Sequence, residues 1–520
     1  MIEISLTELH RAASVIWDAG DSGRTISSIS TDTRELRPGS LFVGLDGPNF
    51  RGSEFAEAAF EAGAAAVIIQ EPASEDELRV SQLTELADRY AGSVAVVADS
   101  RAALGALGSL VRQRLAGSAV AITGSCGKTS TKAILAHMLR GGAGAGNGVV
   151  ASPKSFNNYV GVPRTLFLCE RTTRFAVLEV GTNAPGEIAD LAEIARPDVA
   201  MITMIGRAHL EGLGTLEGVA DEKGALLESI DPGAKGARAI LNADCPMTSR
   251  LLERVPEGVP VTTFGCSAQA DVLASDVRLT ARGTEFVLDI DPALTADRDP
   301  VSRLPIVVPL LGAHAVQNVV AALAAVLAVE GDLDAALDSI ASLGAEPHRL
   351  QPTVAGGVLV IDDAYNANPE SMAAAVATLM GVERSSDAWP REPGGEGPQR
   401  VLVVGAMGEM GDGAADLHAE SGSVAGASGI DRLFLTGTAA DAPLLAAFRD
   451  GAIGAGLDPG CIQLLESLED TVDGLCRILR PGDICLVKAS RAARLERVAS
   501  AVATRFSAAD PALPSPEAHA

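Results

Sequence analysis

The amino-acid sequence predicts an α/β protein built on mostly parallel sheets with helices on both faces. Short apolar runs such as "AVAIT" and "RVLVV" alternate with helical stretches along most of the chain, and this alternation is typical of strand–helix–strand units. The length of 520 residues is enough for two to four domains with substantial cores. With 47% hydrophobic and 21% charged residues, the chain has the composition of a soluble globular protein.

Three domains are predicted from the places where the pattern changes. Residues 1–100 mix short strands with helices and form the first domain. Strands and helices then alternate through a central domain at 101–343. A break at "SLGAEPHRLQP" precedes a third, smaller α/β domain at 344–506. Residues 385–399 are predicted to be a surface loop, and residues 507–520 a disordered tail.

Charge and composition argue against several classes of protein. The formal net charge of −26 does not suit a general nucleic-acid binder or a protein of anionic membrane surfaces. The N-terminus lacks the basic and apolar segments of a signal peptide. The most apolar run contains His314, Gln317 and Asn318, so it predicts a packed helix rather than a membrane span. Seven scattered cysteines without CxxC spacing indicate a reducing cytoplasm, and neither a disulfide framework nor a zinc site.

The stretch "AITGSCGKTSTK" predicts a phosphate-binding loop between a strand and a helix. A strand ending at Thr123 would lead into a tight turn at Gly124 and Gly127, where glycine lets backbone N–H groups point at an anion. The following helix would add its N-terminal dipole, Lys128 would reach the terminal phosphates, and Thr129 would lie where Mg²⁺ is held. Two residues separate the glycines, rather than the four of the common loop. The motif indicates ATP or GTP without specifying a reaction.

Three carboxylates stand near the ends of predicted strands, where ligands collect in open α/β sheets. Asp362 and Asp363 follow "GVLVI", although such a carboxylate is more often a turn former than a ligand. Glu179 lies inside the apolar run "FAVLEVG", where an unpaired charge costs several kcal/mol. A Mg²⁺ ion beside the phosphates would compensate that charge.

A lysine on an apolar helix stripe is the least expected feature of the central domain. If 215–230 is a helix, Lys223 falls on its apolar stripe. Its stem either packs while the amine extends to water, or the lysine is held at a site with a changed charge. His209, in the turn before this helix, is either a neutral metal ligand or a hydrogen-bonded turn residue.

Cations and asparagines are concentrated in three further motifs. Arg349 in "HRLQP", with Lys488 and Arg491 in "LVKASR", suit a phosphate or carboxylate, although each one singly is more typical of a solvated surface charge. "YNANPESM" predicts a turn that opens a helix behind Pro369. "VVGAMGEMG" lacks the GxGxxG spacing and predicts no cofactor site.

Taken in order, these motifs resemble those of the Mur ligase family. The matching stretches are "STDTRELRPGSLFVGLDG", "TGSCGKTSTK", "SFNNYVGVPRTL", "LEVGTNAPGEI", "AHLEGLGTLEGVADEKG", "GAHAVQNVVAALA", "HRLQP", "DDAYNANPESM" and "LVKASR". The short GxxGKT loop is this family's version of the phosphate loop. "DDAYNANPESM" makes the chain most similar to the branch of the family that adds a D-alanyl-D-alanine dipeptide.

The resemblance implies a separate task for each domain. An N-terminal α/β domain would bind the UDP end of a muramoyl peptide, with Thr31, Asp32 and Arg34 near the nucleotide. A central P-loop-type domain with a mostly parallel sheet would bind ATP. The C-terminal domain would be Rossmann-like and would close on the other two.

The resemblance also implies roles for individual side chains. The implied catalytic residues are Lys128, His209, Lys223 and Arg349. The implied ATP site comprises Gly124, Ser125, Cys126, Gly127, Lys128, Thr129, Ser130, Asn318, Arg349 and Asp363, with Asn318 by the adenine. Thr129 and Glu179 would bind one Mg²⁺, and His209 with a carbamylated Lys223 would bind a second. The remaining substrate contacts are implied for Asn157, Asn158, Asn366, Asn368, Lys488, Ser490 and Arg491.

The activity implied by the resemblance is ATP-driven amide formation in the cytoplasmic stage of peptidoglycan synthesis. The γ-phosphoryl group would pass to the terminal carboxylate of UDP-N-acetylmuramoyl-tripeptide (UDP-MurNAc-tripeptide), and the amine of D-Ala-D-Ala would displace phosphate from the acyl phosphate. No nucleophilic side chain is needed. A monomer without nucleic acid or membrane insertion is expected. The alternatives are a sibling ligase, including one that extends folate with glutamate, and a P-loop ATPase that acts as a binding module.

Overall fold

The computed structural model describes residues 1–21, 23–47, 50–71, 80–142, 148–280, 283–296, 299–345, 347–382 and 399–509. Apart from a two-stranded ribbon, its strands form sheets of five, nine and six strands. Each sheet belongs to its own stretch of chain, called here the first region (1–99), the central region (100–345) and the third region (347–509). The predicted α/β class with mostly parallel sheets is confirmed. The domain bounds at 1–100, 101–343 and 344–506 stay a prediction.

The first region carries the two-stranded ribbon, formed by its first and third strands, and a mixed five-stranded sheet formed by the other five. Its strands are β1 (Ile4–Ser5), β2 (Trp17–Gly20), β3 (Thr25–Ile26), β4 (Ser28–Ser30), β5 (Ser40–Val43), β6 (Ala64–Gln70) and β7 (Ser93–Val97), and its helices are α1 (Leu6–Ala12), α2 (Ala56–Glu61) and α3 (Val80–Arg89). The sheet order is β2-β7-β6-β5-β4, with β2 antiparallel at one edge. Because β4 and β5 run parallel, the "STDTR" stretch after β4 and the loop after β5 lie at the same edge.

The central region carries the nine-stranded sheet. Its strands are β8 (Ser118–Thr123), β9 (Val149–Ala151), β10 (Phe175–Glu179), β11 (Val199–Ile202), β12 (Arg238–Asn242), β13 (Val261–Gly265), β14 (Val272–Thr280), β15 (Gly283–Ile290) and β16 (Leu304–Val308). Its helices are α4 (Ser100–Arg114), α5 (Lys128–Gly142), α6 (Gly161–Leu166), α7 (Glu187–Ala195), α8 (Leu210–Leu213), α9 (Leu216–Glu228), α10 (Thr248–Leu252), α11 (Ala313–Ala328) and α12 (Leu333–Ser339). The strand order is β16-β15-β14-β13-β12-β11-β8-β10-β9.

Two kinds of strand make up this sheet. From β9 at one edge of the sheet to β14, each strand runs parallel to its neighbour. Beyond β14 the pairing changes, because β15 is antiparallel to both β14 and β16. The antiparallel extension is not predicted by the apolar runs, because buried side chains in β15 and β16 alternate with more exposed ones. The parallel strand β8 lies between β10 and β11, so the loops after these three strands meet at one edge.

The third region has a six-stranded sheet. Its strands are β17 (Gln351–Ala355), β18 (Val358–Asp363), β19 (Arg400–Val404), β20 (Arg432–Thr436), β21 (Ile462–Leu465) and β22 (Ile484–Lys488), and its helices are α13 (Pro369–Gly381), α14 (Ala414–Ala427), α15 (Ala442–Gly454), α16 (Leu468–Ile478) and α17 (Glu496–Ala509). The order is β17-β18-β22-β19-β20-β21, with β17 antiparallel at the edge. Helix α17 extends three residues into the predicted tail. The rest of that tail and nearly all of the predicted loop at 385–399 lie outside the described residues.

The hydrophobic core joins the first two regions and buries the most apolar helix. One cluster combines residues of α1 with residues of α4, α6 and α7. Helix α11 packs on α5 and the central sheet with twelve of its sixteen residues buried, which confirms the predicted packed helix. No helix in the described part of the chain is long and apolar enough to cross a membrane. All seven cysteines are free thiols.

Helices α14 and α15 pack through glycines, which bring their backbones into direct contact. A Cβ atom at Gly422 would overlap the carbonyl oxygen of Phe448, and a Cβ at Gly451 would overlap that of Ala419. Main-chain atoms of two packed helices cannot move aside independently, so the space at these positions is fixed.

We therefore expect Gly422→Ala to destabilise the third region by about 1–3 kcal/mol through overpacking. Gly454→Ala is the matched control, since a Cβ at Gly454 meets nothing within 4 Å, and it should be neutral or slightly stabilising. Thermal unfolding of both variants checks the expectation. Equal melting temperatures for the two would contradict the proposed backbone contact.

Candidate active site

The phosphate loop follows β8, and its two glycines are required by their surroundings. Gly124 has φ +151° and Gly127 has φ +83°, both outside the usual range of other residues. A Cβ at Gly124 would overlap Thr203 Oγ1, and one at Gly127 would lie 2.7 Å from Asn318 Oδ1. The strand ends at Thr123 and α5 begins at Lys128, as the sequence predicts.

Neighbouring strands and helices hold the loop in shape. Ser125 Oγ donates to Gly206 O and accepts from Gly206 N, each at 2.9 Å. Thr203 Oγ1 donates to Cys126 O at 2.5 Å. These bonds are made from outside the turn, and the first N–H groups of α5 have no carbonyl partner within their own helix. A loop of this kind presents backbone donors to an anion.

Lys128 lies folded over the loop. Its Nζ donates to Gly124 O at 2.5 Å. Burial lowers the pKa of Lys128, while the negative charge of Glu179 acts in the opposite direction. The ammonium group is therefore held beside the turn, within the part of the site that has anion-binding character.

Glu179, at the end of β10, is 1% exposed and has both carboxylate oxygens engaged. Oε1 accepts from Thr129 Oγ1 at 3.1 Å and from Asn157 Nδ2 at 3.0 Å. Oε2 lies 3.0 Å from Lys132 Nζ, which also donates to Lys154 O. Lys132 thus compensates the charge of Glu179 within the protein itself, and the expectation that Mg²⁺ also binds there stays a prediction.

The third region reaches the loop through an arginine. Arg349 Nη2 donates to Thr129 Oγ1 at 3.1 Å, and its guanidinium lies 4.2 Å from the ring centroid of Tyr365. The Tyr365 hydroxyl is 2.6 Å from Ser155 Oγ of the central region. Stacking and this hydrogen bond fix the arginine in place, so two regions of the chain contribute to one site.

Lys223, in α9, is fully buried, and its Nζ has no hydrogen-bond partner among the described residues. Burial and the charge of Lys128 hold the pKa of Lys223 well below its usual value. The interpretation in which the amine extends to water is wrong, because Nζ is itself inaccessible. Burial therefore disfavours the charged ammonium form of Lys223.

His209 adopts a left-handed backbone conformation with φ +58° just before α8. Burial lowers the pKa of His209 to about 4, and the charges of Lys223 and Lys128 act in the same direction. The imidazole is therefore neutral at physiological pH, which is the form that binds a cation.

The donors around the loop fit a hard divalent cation that is shared with a nucleotide. Thr129, Glu179 and His209 offer oxygen and nitrogen donors close to the phosphate loop. In the described ranges no group of three or more His, Cys, Asp or Glu side chains forms a ready-made metal cage. Mg²⁺ is commonly held by one or two carboxylates with phosphates and waters supplying the rest, so this sparse set suits Mg²⁺.

Residues of the third region line the same space, with several side chains already engaged. Lys488 Nζ lies 2.8 Å from Asp363 Oδ2 and donates to Asn366 O at 2.7 Å. Asn368 caps α13, where its Oδ1 accepts from Ser371 N at 2.8 Å. The charge of Lys488 is thus compensated by a neighbour, and the Asn368 side chain has a structural bond.

A cavity of about 680 Å³ gathers these elements. The predicted site residues that line it are Ser125, Cys126, Gly127, Lys128, Thr129, Ser130, Asn157, Glu179, His209, Asn318, Arg349, Asp363, Asn366, Asn368 and Lys488. Asn318 accepts from Thr131 Oγ1 at 3.1 Å, so it lies against the phosphate loop. Most of the predicted nucleotide site is therefore brought together.

Other predicted residues are not part of the described lining of this cavity, although Gly124 belongs to the phosphate loop. They are Gly124, Lys223, Thr31, Asp32, Arg34, Asn158, Ser490 and Arg491. Asp32 and Arg34 form an ion pair at 2.6 Å in the first region, and the guanidinium beside it lowers the pKa of Asp32 to about 2. Asn158 caps the turn before α6 by accepting from Gly161 N at 3.0 Å.

Ser490 and Arg491 follow β22 at the edge of the third region. Ser490 Oγ donates to Ala406 O at 2.7 Å, a bond between neighbouring loops of the third region. The Arg491 guanidinium lies 5.6 Å from the Tyr365 ring centroid. Arg491 therefore stands next to the site through Tyr365.

Four residues in or beside the site are absent from the sequence predictions: Lys132 and Tyr365, which line the cavity, and Arg207 and Glu409, which lie beside it. Lys132 follows Lys128 by four residues, which places both on one helix face, and this spacing is a signal that could identify it. The other three act across the interface with the third region. A contact between distant segments leaves no local pattern in the chain.

Three family models match the chain in order. The Mur ligase family catalytic domain matches residues 25–110, the Mur ligase middle domain residues 122–326, and the Mur ligase glutamate ligase domain residues 348–491. The UDP-N-acetylmuramoyl-tripeptide–D-alanyl-D-alanine ligase of Escherichia coli is 34% identical over 446 residues, 84% of this chain and 86% of that protein. The protein of the same name from Mycobacterium tuberculosis (strain H37Rv) is 33% identical over 504 residues, 92% of each chain.

Solved structures agree with these matches. MurF from Acinetobacter baumannii has a TM-score of 0.79 at 25% identity, covering 96% of this chain and 99% of its own. MurF ligase from Thermotoga maritima, in complex with ADP, has a TM-score of 0.74 at 25% identity, covering 93% and 98%. Matched domains in the expected order and relatives above 30% identity over most of both chains lead to one conclusion: this chain belongs to the Mur ligase family.

Proposed function

We propose that this chain is an ATP-dependent ligase that joins D-Ala-D-Ala to UDP-MurNAc-tripeptide in peptidoglycan synthesis, with release of ADP and phosphate. The observation that carries the proposal is the meeting of a phosphate loop, a buried carboxylate and the third-region Arg349 at one cavity. The names of the relatives supply the two substrates. The ADP held by a solved relative supports a nucleotide at the loop.

The chemistry is a phosphoryl transfer followed by an acyl transfer. The bond between the γ-phosphorus and the ADP oxygen breaks as the tripeptide carboxylate oxygen bonds to that phosphorus. The amine of D-Ala-D-Ala then attacks the acyl carbon, loses a proton, and displaces phosphate. Lys128 and Arg349 stabilise the negative charge on the transferring group, from the central and third regions respectively.

Two cation sites form part of the proposal. Thr129 and Glu179 would hold one Mg²⁺, and His209 with Lys223 would hold the other. Bound there, Mg²⁺ would spread the negative charge of the phosphates. Burial favours the uncharged amine of Lys223, and an uncharged amine is suited to attack CO₂, which forms an N–C bond and releases one proton. The resulting carbamate would offer an oxygen ligand where the described structure has an unpartnered nitrogen.

The two substrates would approach from opposite regions of the chain. The UDP end would bind the first region at Thr31, Asp32 and Arg34, beside the edge formed by the ends of β4 and β5. An ion pair of 2.6 Å between Glu35 and Arg164 joins that edge to the central region, which supports a continuous path. The peptide ends would contact Asn157, Asn158, Asn366, Asn368, Lys488, Ser490 and Arg491.

The proposal assigns one task to each predicted domain. Residues 1–100 would bind the UDP-substrate, 101–343 would bind ATP, and 344–506 would close over both and receive the dipeptide. A cytoplasmic, monomeric enzyme completes the proposal. Free cysteines without disulfides suit a reducing compartment.

The first prediction from the proposed function concerns phosphate release by the purified protein with ATP, Mg²⁺ and UDP-MurNAc-tripeptide, with and without D-Ala-D-Ala. Release should require both acceptor substrates, and mass spectrometry should find a product heavier by the dipeptide. Release with a single amino acid in place of the dipeptide would move the assignment to a sibling ligase. Release that needs neither substrate would leave an ATPase.

A second prediction concerns Lys132, whose ammonium group compensates the buried Glu179. Lys132→Met leaves that carboxylate without its cation, and breaking a buried pair costs about 3–5 kcal/mol, so the melting temperature should fall by roughly 10 °C. Mg²⁺ with ADP should stabilise this variant more than the wild type. Lys235→Met, at an exposed position, is the control. A Lys132→Met protein as stable as the wild type would show that Glu179 does not need this partner.

A third prediction concerns the carbamate on Lys223. Protein equilibrated with ¹³C-bicarbonate should show a carbamate resonance by ¹³C NMR that Lys223→Met lacks and Lys235→Met retains. The Lys223→Met protein should also lose about 100-fold in kcat, as expected for loss of a group that stabilises transition-state charge. A resonance that persists in Lys223→Met would place the carbamate elsewhere.

A further inference from the structure

The segment 207–209, between β11 and α8, is held by carboxylates of the third region. Arg207 Nη1 and Nη2 lie 2.6 and 2.9 Å from the two carboxylate oxygens of Glu420, in α14. Arg207 Nε donates to Glu370 Oε1, at the start of α13, at 3.0 Å. Two residues further on, His209 Nδ1 lies 2.9 Å from Glu409 Oε2. A short piece of the central region thus meets three glutamates of the third.

The contact between His209 and Glu409 selects the tautomer of the imidazole. A lone pair on Nδ1 would face the negatively charged oxygen at 2.9 Å, so the ring proton is favoured on Nδ1 and Nε2 keeps its lone pair. A histidine that binds a metal almost always has a carboxylate, a carbonyl or water at its other ring nitrogen, which fixes the orientation of the ring. At His209 a carboxylate oxygen lies at the corresponding distance from Nδ1.

Both partners also adopt an uncommon backbone conformation. The φ angle is +58° at His209 and +60° at Glu409, in the left-handed region that few non-glycine residues adopt. Such conformations persist where the surrounding structure holds them, and they concentrate at functional sites. Glu409 belongs to "VVGAMGEMG", the motif that begins at the end of β19 and for which the sequence predicts no cofactor site.

From these contacts we infer that Glu409 is a positioning residue for the second cation site. When the third region closes on the central region, the Glu409 carboxylate orients His209 so that Nε2 is directed to the cation shared with Lys223. The inference rests on the proposed function, since it needs that cation. The second cation site is complete when the third region contacts the central region. Closure of the two regions and binding of this cation therefore stabilise each other.

Arg207 has a different task in the same contact. Its two-pronged pair with Glu420 holds the segment against α14, and its bond to Glu370 adds a contact with α13. These bonds hold the central and third regions together, whereas the Glu409 carboxylate orients the imidazole ring of His209.

The alternative is an ion pair that only contributes to stability. The Glu409 side chain is 61% exposed, and exposed pairs contribute little to the free energy of folding. Partners that orient a metal-binding histidine change metal affinity by about 10- to 100-fold. Melting temperature and cation affinity therefore separate the two explanations.

The test is Mn²⁺ binding by the full-length protein with a non-hydrolysable ATP analogue and bicarbonate, followed by the EPR signal of free Mn²⁺. The wild type is expected to bind two ions. Glu409→Gln should weaken one of them about tenfold or more and leave the other ion and the melting temperature unchanged. Glu409→Asp, which keeps a carboxylate on a shorter side chain, should fall between. Asp412→Asn, an exposed carboxylate in the same turn, is the matched control.

Rate measurements supply a second readout. The Mg²⁺ concentration for half-maximal rate should rise about tenfold in Glu409→Gln, while the KM for UDP-MurNAc-tripeptide stays constant. Equal affinity for both ions in the wild type and Glu409→Gln would overturn the inference and leave the ligase proposal standing, whatever the melting temperature. A wild-type protein that binds the analogue with one Mn²⁺ would overturn the inference together with the second cation site.

Discussion

The carboxylate of Glu179 is a buried negative charge at the end of a central parallel strand, and the surrounding residues are arranged to compensate it. Thr129 and Lys132, both in α5, and Asn157, in the loop before α6, each donate to it. An ionised group in this position costs free energy unless every lone pair has a partner. The requirement ties the first turn of α5 to β10 and to the loop before α6. The start of α5, which follows the phosphate loop, is therefore held in place by bonds within the protein itself.

A second constraint comes from the third region. Arg349 reaches Thr129, and Tyr365 reaches Ser155, so the cavity has walls from separate sheets. Neither sheet alone carries the complete set of cations and donors. The chemistry at such a site depends on how the central and third regions are positioned relative to each other. Contacts at their interface therefore affect the reaction by positioning the side chains that take part in it.

The sequence predicts the parts of this structure that have a local cause. Glycines at 124 and 127 follow from the conformation of a tight turn, and Lys223 is recognisable from its place on an apolar stripe. The antiparallel strands β14 to β16 are less evident, because one face is partly exposed. The pairing of His209 with Glu409 has no local cause, since it depends on how two regions far apart in the chain pack. Asn368 shows a different difficulty. The sequence predicts a substrate contact for this residue, whereas in the structure its side chain also caps helix α13.

The origin of Arg349 has a consequence for wasted turnover. If the third region stood away from the central region, a nucleotide on the phosphate loop would lack the Arg349 guanidinium beside Thr129. Hydrolysis by water would then be slow, because charge on the γ-phosphoryl group would lack one of its stabilising cations. Contact between the two regions would bring this cation and exclude bulk water together. Under the proposed function, the division of one site between two sheets would thus limit ATP hydrolysis in the absence of an acceptor.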